Sequence, residues 1–372
     1  MGRGKSFSAG ERLDWLRLIR SENVGPITFY QLLERYGNAA AALEALPQLA
    51  RRGGRERPIK IPTRAAVEAE VKEAASFGAT LLCRDESAYP ATLRAIEDAP
   101  PVLFLRGHVH LLEKRMIAIV GARNASVNGR RFAKALAAEL GQAGLVVVSG
   151  LARGVDASAH EGALATGTVA VMAGGVDVVY PEENRKLYDA VVGQGLALSE
   201  MPPGTVPQGR HFPRRNRIVS GLALGVVVVE AAERSGSLIT ARLAADQGRE
   251  VFAVPGSPLD PRSKGANGLL REGAHLVETA ADVLAGIEGL TPKPLAEPPP
   301  EPPAGPPKPP PDSELQRARR LVLEALGPQP VPVDELLRHT HLSPAVMSLV
   351  LLELELAGRL ERQPGNRVSL LF

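Results

Sequence analysis

Residues 145–156 read LVVVSGLARGVD. Four apolar residues run into Ser149-Gly150, and a second glycine, Gly154, precedes Val155 and Asp156, where a helical pattern begins. An apolar run without alternation, closed by a turn, fits a strand buried on both faces, as in a parallel sheet covered by helices. Glycine after such a strand lets the backbone bend sharply and approach a ligand closely. The same strand–turn–helix signature recurs along the chain. Strands are expected at Met116–Val120, Leu145–Ser149, Thr168–Met172, Leu196–Ser199, Val226–Glu230 and Glu250–Val254. Helical patterns of about 10–15 residues separate several of them, which predicts an α/β fold. The expected core is an extended Rossmann-like, doubly wound, mostly parallel sheet. Such sheets bind ligands beyond the carboxyl ends of their strands.

The flanks read differently. Leu13, Leu16 and Leu18 recur near helical spacing, and Asn23-Val24-Gly25-Pro26 breaks the pattern. A second helix is expected from Ile27 to Tyr36, closed by Gly37, and a third from Asn38 to about Leu49. Helix, glycine-containing turn, helix is the outline of a SAM-like or helix-hairpin-helix unit. A helix over 64–77 and short strands at 79–83 and 102–106 lead into the core. Residues 291–312 hold twelve prolines in 22 positions, an extended spacer that can form neither helix nor central strand. Beyond it come helices over 313–326, over 333–339 and from Ser343-Pro344 to near Gly358. Two arms around Pro364-Gly365-Asn366 follow, completing a winged-helix outline. The expected domains are therefore 1–80, 81–290 and 313–372, with the spacer between the last two. The third helix of the last unit carries Glu353 and Glu355 and no cation. A helix that reads a duplex groove needs cations, so this unit is expected not to do so.

The chain has 372 residues, is 44% hydrophobic and only 4% aromatic, and carries a net charge of +3. Its core is thus aliphatic, and its basic excess is mild. The lone cysteine, Cys83, cannot form an internal disulfide. There is no apolar leader and no apolar run of membrane-spanning length. These features point to a cytoplasmic protein without membrane association.

Candidate chemistry gathers at the strand ends. Gly121 and Arg123 follow the first core strand; Ser149, Gly150 and Arg153 follow the second; Ser237 and Thr240 lie where a helix begins after the fifth. Helix-start amides favour anions, and arginine offers a forked donor to phosphate. From Met201 to Val229 there is no acidic residue, yet Arg210, Arg214, Arg215 and Arg217 fall there with His211 and Phe212 interleaved. Cations for a backbone and a ring for a base are what a single-strand groove requires. Enzyme signatures are missing. Asp156 and His160 are four apart, but no third metal ligand has diagnostic spacing and no G-x-S-x-G elbow is present. The P-loop is absent, and Gly121-Ala122-Arg123-Asn124 stands where a dinucleotide fingerprint would need more glycine. No catalytic residue, metal or cofactor is expected.

From Tyr89 to Asp282 the chain resembles the DNA-processing protein A (DprA/Smf) family. The resemblance rests on Ile119–Arg123, Ser149–Asp156 with His160, and Gly175-Val176-Asp177 with Tyr180-Pro181. It continues through Phe212-Pro213-Arg214-Arg215-Asn216-Arg217, Ser235–Ala241, Val254–Ser257 and Gly265-Ala266-Asn267. It implies an extended Rossmann fold that binds single-stranded DNA without a catalytic step, forms a homodimer, and hands the strand to a RecA-type recombinase in natural transformation. By position it implies that Arg123, the Arg210–Arg217 loop with Phe212 and Asn216, and Ser149, Gly150, Ser237 and Thr240 hold DNA, with Lys264 as a further phosphate contact. The competing readings are a nucleotide phosphoribohydrolase on a related scaffold, for which the glycine-rich catalytic loop is missing after Gly174-Gly175, and a transcription regulator acting through the C-terminal unit.

Overall fold

In the computed structural model, residues 7–288, 311–363 and 365–371 are described. Apart from residues 311 and 312, the proline-rich spacer lies outside them. Four helices come first: α1 (Ala9–Ile19), α2 (Pro26–Tyr36), α3 (Ala39–Arg52) and α4 (Arg64–Ser76). The sheet region follows as β1 (Thr80–Cys83), α5 (Ala91–Arg94), β2 (Val102–Gly107), β3 (Met116–Gly121), α6 (Val127–Gln142), β4 (Val146–Ser149), α7 (Val155–Ala163) and β5 (Thr168–Val171). It continues as α8 (Arg185–Gln194), β6 (Leu196–Ser199), α9 (His211–Leu222), β7 (Gly225–Val229), α10 (Gly236–Asp246), β8 (Glu250–Ala253), α11 (Lys264–Arg271), β9 (His275–Leu276) and α12 (Ala280–Ile287). The last elements are α13 (Asp312–Ala325), β10 (Val331–Pro332), α14 (Val333–Thr340), α15 (Pro344–Leu356), β11 (Leu360–Gln363) and β12 (Arg367–Leu370).

Nine strands form one sheet in the order β1-β2-β6-β5-β4-β3-β7-β8-β9. All neighbours from β6 to β9 pair parallel; β1 and β2 add an antiparallel edge. Successive residues of each strand feed opposite layers. Ala118, Val120, Val148 and Val228 pack with Ile218, Leu222 and Ala241 of α9 and α10. Ile117, Ile119, Val147 and Val229 pack with Leu136, Ala159 and Val283 of α6, α7 and α12. Burial on both faces explains why the strands read as unbroken apolar runs. Every core strand expected from sequence is present to within a residue. The two-residue β9 escaped notice because so short a strand has no periodicity.

The chain divides into two compact units, one from residue 68 through the sheet, the other joining 7–67 to the C-terminal segment. In the second unit the helices α1–α3 and the winged helix, expected as separate flanking domains, share one core. Trp15 stands edge-on to Phe7 and Phe29, with ring centroids 4.9 and 5.0 Å apart. Helix α15 packs on both α3 and α13, and nine of its residues are buried, Glu353 among them. A Cβ at Gly53 would lie 1.9 Å from the Glu353 carbonyl oxygen, so only glycine permits this approach. The Asn23 amide donates to the Leu356 carbonyl at 3.2 Å. Arg319 reaches the buried Glu353 carboxylate at 2.6 Å from α13. The helix that would enter a groove in a duplex-reading winged helix is therefore covered.

Candidate nucleic-acid interface

A cleft of about 220 Å³ opens over the carboxyl ends of β3, β4 and β5, and its lining includes Arg123, Arg153, Tyr180, Pro207, Phe212 and Arg215. Three segments meet at its rim. Arg123 follows β3 and is exposed. Tyr180 lies between β5 and α8 and is 51% exposed. Phe212 belongs to the first turn of α9. The Arg123 guanidinium carbon stands 5.1 Å from the Phe212 ring centroid, and that centroid is 5.8 Å from Tyr180 with the planes at 54°. A cation and two rings thus share one open edge. Arg153, also exposed, faces Glu183 at 3.6 Å, a solvent-screened pair of little energetic weight.

The expected Arg210–Arg217 loop is mostly helix. Pro213 sits in the first turn of α9, where its missing N–H has no partner to lose. The helical turn sorts the cations. Arg210 and Arg214 are exposed and Asn216 is half-buried, while Arg215 and Arg217 point inward. Arg217 is held by the Glu200 carboxylate and by Asp98, whose carboxylate lies 3.4 Å from its Nε. This corrects the view of an arginine run short of counter-ions: Glu200 stands one residue before the acid-free stretch, and Asp98 comes from a distant loop.

Arg215 forms the floor. Its Nη1 donates to the Val171 carbonyl at 2.8 Å. A Cβ at Gly150 would come within 1.8 Å of that nitrogen, so Gly150 is needed for the guanidinium to fit. Asp156 supplies the opposing charge from α7. Burial pushes its carboxyl up from the usual range, and Arg215 partly offsets this. Burial also pushes the Arg215 guanidinium down. His160 is fully buried, with Nε2 on the Gly150 carbonyl and Nδ1 2.7 Å from the Thr168 hydroxyl. Its pKa is pushed down to about 4, chiefly by burial, so the ring is neutral near pH 7. Among the described residues no group of three His, Cys, Asp or Glu side chains is placed to hold a metal.

The remaining candidates are framework rather than rim. The Ser149 hydroxyl is buried and donates to the Ile119 carbonyl at 2.6 Å. Gly121 lets β3 close on β7, since a Cβ there would lie 1.9 Å from the Val229 carbonyl oxygen. Ser237 is buried with its hydroxyl 2.7 Å from that of Ser235, and Thr240 is buried in α10. Lys264 is exposed at the start of α11 and does not line the cleft. Two participants escaped assignment from sequence. Tyr180 was visible in the Tyr180-Pro181 pair, but without a role. Asp156 could be weighed only against His160, because Arg215, whose charge acts on it, is far from it along the chain.

Fold and site together define a class: a doubly wound α/β protein with a cationic, aromatic cleft over its strand ends, joined to helical and winged-helix segments. The family model for DNA recombination-mediator protein A matches residues 80–288. Those for the DprA-like N-terminal HHH domain and the DprA winged helix domain match 9–73 and 306–366. The chain belongs to the DNA recombination-mediator protein A family. It is 47% identical over 205 residues to the DNA processing protein DprA of Streptococcus pneumoniae, covering 55% of this chain and 72% of that relative. The X-ray structure of the Streptococcus pneumoniae protein superposes with a TM-score of 0.63 at 34% identity, covering 76% of this chain and 98% of the other. DNA processing protein A from Helicobacter pylori, described for its single-stranded DNA binding mode, superposes with a TM-score of 0.53 at 31% identity, covering 57% and 96%. Among the described residues, no helix is long and apolar enough to cross a membrane.

Proposed function

We propose that this chain binds single-stranded DNA along the rim of the cleft and acts as a recombination mediator that passes the strand to a RecA-type recombinase. The observation that carries the reading is the Arg123–Phe212–Tyr180 edge. An exposed cation meets the backbone there, and the exposed Tyr180 ring beside the half-buried Phe212 ring offers stacking to unpaired bases. Arg153, Arg210 and Arg214 extend the charge, and Asn216 and Lys264 are candidate further contacts. Arg215, Ser149, Gly150, Gly121, Arg217, Ser237 and Thr240 act by holding the cleft's shape. Binding, rather than turnover, is the output: His160 is buried and neutral, and Asp156 is buried with its carboxylate accepting the Ala152 N–H. The working form is a cytoplasmic homodimer.

Fluorescence anisotropy with labelled oligo-dT and with the matching duplex, at two salt concentrations, tests this. The single strand should bind in preference, and more weakly at the higher salt. Arg123→Ala should reduce the salt slope by roughly 0.7 for each phosphate that Arg123 neutralises. Phe212→Ala should cost about 1–3 kcal/mol for each base it stacks. Equal affinity for single strand and duplex, or an unchanged slope in Arg123→Ala, would remove the groove from the account. Light scattering tests the dimer. Strand exchange by a recombinase, with and without the protein, tests delivery.

A further inference from the structure

In a doubly wound sheet, anionic ligands enter the crevice where the connections of two adjacent strands leave for opposite faces. Here that point lies between β3 and β7: β3 leads through α6 to β4 on one side, and β7 through α10 to β8 on the other. The cleft described above lies over β3, β4 and β5 instead. The crevice itself is occupied by Glu230, the residue after β7. Its Oε2 accepts the Ser126 backbone N–H at 2.8 Å, and its Oε1 takes the Ser126 hydroxyl. Ser126 is the N-cap of α6, and its hydroxyl oxygen also accepts the Gly129 N–H at 2.9 Å. A Cβ at Gly129 would come within 2.6–2.8 Å of the Glu230 carboxyl group, so the helix start is shaped around the carboxylate. Glu230 adopts φ of 53°, a left-handed conformation unfavourable for a residue with a Cβ. Strain of this kind persists where the surroundings impose it, and it clusters at functional positions.

We infer that Glu230 is a specificity-determining residue that denies the crevice to free nucleotides. Its carboxylate occupies the amide and hydroxyl donors that a nucleotide phosphate would use, and any phosphate placed there meets a like charge. Mononucleotides and dinucleotides are excluded from the sheet's switch point, and binding is left to the open cleft beside it. This exclusion is independent of what the cleft binds.

The probes are inorganic pyrophosphate and ADP, titrated by calorimetry into the full chain. Oligo-dT anisotropy is run in parallel as a separate readout of the cleft. Wild type should bind neither probe at millimolar concentration. Glu230→Asn, which removes the charge, shortens the side chain and tolerates left-handed backbone, should gain binding at least tenfold stronger, with oligo-dT affinity changed less than twofold. Glu230→Gln, which keeps most of the cap, decides the matter if Glu230→Asn does not fold; it too should gain pyrophosphate binding. Wild type binding ADP as tightly as the variants would overturn the inference, as would folded variants that gain nothing. Failure of wild type to bind oligo-dT would instead count against the reading of the cleft.

Discussion

At the residue scale, the arginines that border the cleft divide into two roles that sequence could not separate. Arg123 is exposed, whereas Arg215 is buried against Gly150 and opposite Asp156. Removing a buried donor leaves its acceptor unsatisfied, here the Val171 carbonyl, and takes away the positive charge that acts on Asp156. Arg215→Met should therefore lose about 1–3 kcal/mol of stability in urea denaturation, whereas Arg123→Ala should denature like wild type. Asp156→Asn added to Arg215→Met should recover part of the loss; no recovery would mean that the two charges do not oppose each other. His160 gives a pH signature. Its folded pKa of about 4 lies below the ordinary value of 6.5, so the unfolded chain binds the extra proton between these values. Its contribution, about 3 kcal/mol in full, is present above pH 6.5 and is lost as pH falls toward 4. His160→Gln should flatten that acid limb when denaturation midpoints are compared at pH 7 and pH 5.

At the element scale, legibility followed burial chemistry. The strands were readable because each buries both faces in aliphatic layers, leaving one unbroken apolar signal. Helix α9 was not, because its inward face carries His211, Arg215 and Arg217 among its apolar residues, and hydrophobic periodicity is blind to buried ion pairs. Tyr180 and Phe212 were each visible, but only folding brings their segments together. The missing cations of α15 were also visible in sequence. The structure supplies the reason: that helix is a core element, packed on α3 and α13. Gly53→Val should therefore push α3 from α15 and lower the stability of this unit by about 1–3 kcal/mol through overpacking. A thermal melt followed at Trp15, the single tryptophan, reports on this unit directly. An unshifted melt would mean that the helices can part without cost.

At the scale of the whole molecule, two segments far apart in sequence complete one core while the sheet forms another. Deleting residues 311–371 should therefore accelerate hydrogen exchange in α1–α3, although none of those residues is altered. Unchanged protection there would show that the first three helices hold themselves together. Synthesis on the ribosome gives this arrangement a timetable. Asn23 waits for Leu356, 333 residues later, and at roughly 5–20 residues per second that delay is on the order of tens of seconds. The sheet unit can collapse in the interval, but the first helices leave the ribosome with the α15-facing side of α3 bare. The nascent chain thus carries an exposed apolar surface on α3 until α15 has been made, which marks α3 as the natural foothold for a holding chaperone.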